Sequence, residues 1–266
     1  MLVWSRPGRF GAWALLGVVI AVIYGLPAVM IALASFAGQW NAVLPTGLTF
    51  SHYVQAVHGD SGAMLKASLV TGAVASLVAL VVGTWAALTL RHIIGVPRRV
   101  LDLVFFVPSA VPSVSVGLGL LVAFSQKPVL LNGTIWIVMV AHLVLISAFT
   151  YGNVSAGLAR LGNDFEHMAA SLGAHPVYTL RRVTLPLITP HLIAAFSLSF
   201  ALSMGELGAT IMVYPPGWVT LPVGIFALTD RGDIFHGAAM TILLAAATLA
   251  VLIGLSHVPT RAAARR

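Results

Sequence analysis

The sequence predicts an all-α, polytopic membrane protein with six transmembrane helices. Three observations carry this reading. The 266 residues are 59% hydrophobic and only 8% charged, where soluble domains average about 25% charged, and the mean hydropathy is +0.99. The apolar residues gather into runs of roughly 20 to 25, the length a helix needs to cross a hydrocarbon core of about 30 Å. When those runs are threaded alternately through a membrane, eleven of the fourteen Lys and Arg residues fall on one side. With the apolar runs set aside, nothing long enough for a soluble domain remains, so 1–266 reads as a single transmembrane domain.

The first run, about 11–36, follows Arg6 and Arg9. Ala32-Leu33-Ala34 has the look of a signal cleavage site, but the run far exceeds the roughly 7–15 apolar residues of a signal peptide, so it reads as a retained span. Pro27 inside it is tolerable where neighbouring helices re-satisfy the freed carbonyl. A turn-rich external loop follows, with room for a short helix. The second span covers about 64–90, and a basic connection, Arg91 to Arg99, leads to the third at about 100–124. Pro108, Pro112, Gly117 and Gly119 predict that the third span is kinked or locally unwound. Such breaks occur at membrane depth only where protein or a water-filled path covers the backbone. A kink that serves packing and a kink that lines a path fit the sequence equally.

The fourth span is about 133–158, and a polar loop, 159–190, separates it from the fifth at about 191–213. Tyr214-Pro215-Pro216-Gly217-Trp218 breaks the chain. Val219–Phe226 is apolar but too short to span, and reads as a segment dipping back from outside. The sixth span, about 236–256, ends in a basic tail. Arg6, Arg9, Arg91, Arg98, Arg99, Arg160, Arg181, Arg182, Arg261, Arg265 and Arg266 share one side, and Lys66, Lys127 and Arg231 the other. By the positive-inside rule both termini and the 159–190 loop are cytoplasmic. A net charge of +7 with no basic run interleaved with aromatics argues against nucleic acid. Without cysteine there is no disulfide, thiolate metal site or Cys nucleophile.

The loop has clear punctuation. Asn163 and Glu166 are spaced as a capping box. Phe165, Met168, Ala169 and Leu172 fall at i, i+3, i+4 and i+7, one apolar stripe on a short helix. Gly173 stands where a left-handed C-terminal cap belongs, and Pro176 starts a new segment. A helix this short needs a partner for its stripe. The stripe alone fits lipid headgroups, its own bundle or another protein.

The register of Ala169, Gly173, Val183, Leu185 and Pro186 resembles the loop E-A-A-x(3)-G-x(9)-I-x-L-P of permease subunits of ATP-binding-cassette importers. Val183 stands for Ile, and His167 occupies the motif's Glu position, with Glu166 one residue early. The resemblance implies the type I importer permease fold, with the short helix docked in a groove on a separate ATPase. It implies two such ATPase subunits, a second permease subunit (a copy or a different chain) and an external substrate-binding protein, in a bacterial inner membrane. ATP would be bound by the partner ATPase, leaving this chain no cofactor of its own. The stretches from Pro108 to Gln126, Ala141 to Thr150 and Ser203 to Trp218 are similar to permeases of 2-aminoethylphosphonate importers. More loosely they resemble molybdate, sulfate, iron and polyamine permeases.

Glu206 is the only acidic residue deep in a predicted span, and with Pro108 and Pro112 it is a candidate for the translocation path. A structural fastener beside Gly205 and Gly208 is the other reading, and stands slightly ahead. His142 reads as a packed neutral histidine, and Asp102 as a local ion pair with Arg98 or Arg99. No catalytic or metal motif is present, so no enzymatic activity is expected. A secondary transporter is the remaining alternative, but the two halves show no internal repeat.

Overall fold

A computed structural model of the chain describes residues 6–41 and 44–258; the basic tail from Arg261 lies outside them. The elements are α1 (Arg6–Ile20), a π turn (Ala21–Gly25), α2 (Leu26–Phe36), α3 (Ser51–Val57), α4 (Gly59–Leu90), α5 (Val96–Ala110) and α6 (Ser113–Ala123). Then come α7 (Ile135–Leu161), α8 (Asp164–Ser171), α9 (Pro176–Thr179), a second π turn (Leu180–Thr184), α10 (Leu185–Met204), α11 (Gly208–Val213), α12 (Leu221–Asp230) and α13 (Ile234–Ser256). Among the described residues the only β pairing is an isolated bridge between Gln39 and Thr46. Five helices among the described residues are long and apolar enough to cross a membrane, and α5 with α6 makes a sixth if that bent pair counts as one.

Two compact units emerge from a chain expected as one domain: Met1–Gly62 with Gly224–Ala245, and Ala63–Val223 with Ala246–Arg266. In the first, Phe36 at the end of α2 packs against the rings of Phe50 and Tyr53. The Ser35 and Tyr53 hydroxyls hydrogen-bond at 2.7 Å, tying α2 to α3. Most of the α1–α2 stretch is outward-facing, with Phe10, Trp13 and Tyr24 each more than 70% exposed. An apolar surface of that extent calls for lipid or protein, not water.

The second unit is built on α7. Tyr151, Val154 and Leu158 pack with Ala87 and Leu90 of α4 and Ile188 and Ala195 of α10. Ile137, Val138 and Ala141 pack with Ala209 and Val213 of α11. The Trp218 indole donates to the Thr71 hydroxyl at 3.0 Å, and the Leu221 N–H to Ser68 at 2.7 Å, which pins the broken stretch after α11 onto α4.

Two spans are interrupted. The third breaks between α5 and α6 with a 107° bend, because Val111 precedes a proline and adopts extended backbone, ψ 139°. The fifth departs from its expected bounds of 191–213. Its helix begins at Pro176, runs through the second π turn to Met204, and resumes only at Gly208. Half of the loop expected at 159–190 is therefore continuous with that span, and the free connection shortens to the stretch around α8.

Candidate functional site: the loop helix and the broken spans

In the loop, α8 ends in a complete Schellman motif. The Gly173 N–H reaches the Ala170 carbonyl and the Ala174 N–H the Ala169 carbonyl, at 2.9 and 3.0 Å, with Gly173 at φ +81°. The start of the helix differs from the expectation. Asn163 stands at the cap position but makes no side-chain cap bond, and no capping box forms. The Glu166 carboxylate turns away because it has charged and hydroxyl partners elsewhere. It accepts from the Arg91 guanidinium at 2.9 Å and from the Thr184 hydroxyl at 2.5 Å. Burial pushes the Glu166 carboxyl up, but the bonds from Arg91 and Thr184 and the charges of Arg91 and His92 outweigh it, so its pKa lies below the ordinary value.

The stripe faces out. Phe165, Met168 and Leu172 are 45%, 54% and 89% exposed, while Ala169 is half-buried and His167 exposed. Past the turn, Val183 lies in the second π turn, where the Leu185 N–H reaches back to the Leu180 carbonyl. That longer ring carries the helix into Pro186, which has no N–H to offer. Leu185 packs on the core of α4, α7 and α10. Arg91 and Thr184 escaped sequence reasoning. Arg91 lies 75 positions from Glu166, and nothing local to either residue signals the pairing.

The second group sits at the two breaks. Pro108, Ser113, His142, Phe149, Leu202 and Glu206 are among the residues lining a cavity of about 230 Å³. Pro112 caps the start of α6 and is not itself in the lining, although Val111 and Ser113 are. Glu206 stands in the gap between α10 and α11 and accepts the Ala209 N–H on Oε1 at 2.7 Å, satisfying a donor the short helix leaves free. Behind it His142 is fully enclosed, bonded to Ser203 at 2.6 Å and Thr210 at 2.9 Å, and so joins α7 to both sides of the gap. A Cβ on Gly117 of α6 would lie 2.7 Å from the Ala209 backbone, so α6 and α11 touch main chain to main chain. Asp102 pairs with Arg98 at 3.5 Å and also accepts from the Tyr151 hydroxyl. No cluster of three or more metal-ligating side chains occurs among the described residues.

Residues 79–262 match the family described as binding-protein-dependent transport system inner membrane component. The chain belongs to that family. Among relatives of this permease, one from Salmonella paratyphi A is 55% identical over 98% of both chains, and is provisionally named a 2-aminoethylphosphonate transport system permease, PhnV. The protein of the same name from Salmonella typhimurium has the same identity and coverage. The putrescine transport system permease PotI of Escherichia coli is 30% identical, over 77% of this chain and 75% of its own. In fold the permease is similar to a chain of a bacterial ABC transporter that imports the acidic polysaccharide alginate. The TM-score is 0.75 with 18% identity, covering 95% of each chain.

Proposed function

We propose that this permease forms part of the translocation path of an ABC importer for 2-aminoethylphosphonate. The observation that carries the substrate is the 55% identity, over nearly the whole of both chains, to relatives named for that transport. The 30% likeness to a putrescine permease keeps a second reading, another small cationic or anionic solute, open to test.

In this reading α8 docks on a cytoplasmic ATPase through Met168, Leu172 and Phe165. Gly173 sets the turn, and Val183, Leu185 and Pro186 carry motion into α10. Asn163 and Glu166 shape the near side of the helix, Ala169 its underside, and His167, exposed at the motif's Glu position beside the stripe, offers a polar contact to the ATPase. Supporting this is the exposure of an apolar stripe on a helix of eight residues, too short to stand without a partner. Pro108, Pro112 and Glu206 border the path at the two breaks, where irregular backbone surrounds a cavity. Two ATPase subunits, a second permease subunit and an external binding protein complete the assembly, and both termini face the cytoplasm. The chain holds no cofactor and performs no chemistry of its own.

Uptake of labelled 2-aminoethylphosphonate by cells with and without the permease tests the substrate. We expect uptake to require the permease and to be competed by unlabelled 2-aminoethylphosphonate, not by putrescine, molybdate or sulfate. Competition by putrescine alone would transfer the assignment to polyamines.

A further inference from the structure

The contacts of Glu166 tie together three elements that are far apart in sequence. Its Oε2 accepts from Nη2 of Arg91, one residue beyond the end of α4, and its Oε1 from Thr184. Thr184 closes the second π turn directly before α10. Its hydroxyl is enclosed, with the residue only 1% exposed, and the ion pair is four-fifths shielded at both side chains. One carboxylate thus joins the loop helix to the end of one membrane helix and the start of another. Besides this carboxylate, α8 is joined to the bundle by a turn at each end and by packing of its underside on α9 and the second π turn. Phe165, Met168 and Leu172 are exposed while Glu166 is turned in against Arg91 and Thr184, so the carboxylate and the docking stripe lie on different sides of one short helix.

We propose that Glu166, Arg91 and Thr184 form a clamp that hands movement of the loop helix to α4 and α10 together. This rests on the docking reading above and adds the route that displacement takes once α8 is engaged. An eight-residue helix held otherwise by two turns and by packing on α9 and the second π turn would be free to rock on that contact when pulled. A shielded, two-pronged carboxylate resists that rocking because breaking it strips a partly shielded guanidinium of its counter-charge and leaves an enclosed hydroxyl without its acceptor. Glu166 is a positioning residue: it touches neither ATP nor the transported solute. His92 and His167 border the same groove and donate no hydrogen bond to Glu166.

The test uses the complete transporter, with its ATPase and binding protein, in proteoliposomes, and reads ATP hydrolysed per substrate moved. Glu166→Gln and Arg91→Ala should retain the ATPase on purification yet raise that ratio about ten-fold, the scale of a typical coupling energy. Thr184→Val should raise it less. The charge-exchanged pair Arg91→Glu with Glu166→Arg should bring the ratio back toward wild type. Should Arg91→Ala fail to accumulate, Glu166→Gln and Thr184→Val carry the same measurement without removing bulk. A wild-type ratio in Glu166→Gln would overturn the clamp, as would an exchanged pair no better than its single variants. Loss of the ATPase from Glu166→Gln would also overturn it, by moving Glu166 into the docking face. Failure of the docking reading itself is seen separately, as an ATPase that stays bound to Leu172→Asp.

Discussion

Gly173 holds φ +81°, and a Cβ built there meets nothing within 4 Å. The cost of a side chain is therefore conformational alone, about 1–2 kcal/mol for an L-residue in the left-handed region. We expect Gly173→Asn to be mild, Gly173→Ala intermediate and Gly173→Val worst, read as ATPase co-purified with each tagged variant; equal retention by Val and Asn would mean the cap does not set the docking geometry. Glu206 presents a different case. Its Oε1 bond to the Ala209 N–H survives in Glu206→Gln but not in Glu206→Ala, and a lost helix-end acceptor costs roughly 1 kcal/mol. Gln should therefore assemble and transport, while Ala lowers the melting temperature; a transport defect in a normally assembled Gln variant would instead place the charge itself in the path. For Glu166, the folded pKa is depressed, so its contribution is fully present above the ordinary carboxylate value and is lost as pH falls through the folded one. The stability difference between wild type and Glu166→Gln should hold from pH 8 to 6 and shrink only as pH falls below the ordinary carboxylate value, about 4.3. The groups facing this carboxylate are Arg91, Thr184 and His92. A difference that instead grew toward low pH would contradict the assignment.

The loop helix can be separated from the bundle by substitution. Leu172 is the most exposed residue of the stripe, and burying an Asp there against an apolar groove leaves a charge unpaired. Leu172→Asp should leave the membrane helices inserted but release the ATPase and abolish uptake. Within the bundle, Gly117→Val should force α6 and α11 apart, since even one carbon meets the Ala209 main chain at 2.7 Å. Much of the loop was legible because its signals are local: the position of Gly173, the i, i+3, i+4, i+7 stripe and the proline after the turn. The supposed capping box failed for a physical reason. Asn163 and Glu166 have the right spacing, but a carboxylate bonded by a guanidinium and a hydroxyl has no call to reach back to an N–H. Those partners come from residues 91 and 184, and no pattern within a helix window announces a contact between chain segments so far apart. The same holds for His142, whose two hydroxyl partners lie beyond it on α10 and α11. The break at Pro112 was visible as a breaker residue, whereas Gly205, Glu206 and Gly208, which follow the end of α10 at Met204, were equally compatible with close helix packing inside an unbroken span.

At the scale of the molecule, the eleven-to-three division of basic residues predicts which side each loop occupies. An enzymatic reporter active only outside the cytoplasm should be active when fused after Gly59 and silent after Gly162; activity at Gly162 would reverse the orientation. The larger claim is that this permease moves substrate only when an ATPase works the loop. Its most direct test is accumulation of labelled 2-aminoethylphosphonate in proteoliposomes holding the permease, its ATPase and the binding protein. The account predicts uptake against a gradient that requires ATP inside the ATPase compartment and disappears when the ATPase is omitted. Accumulation without ATPase or ATP, driven by a proton or sodium gradient alone, would contradict it and make the chain a secondary transporter.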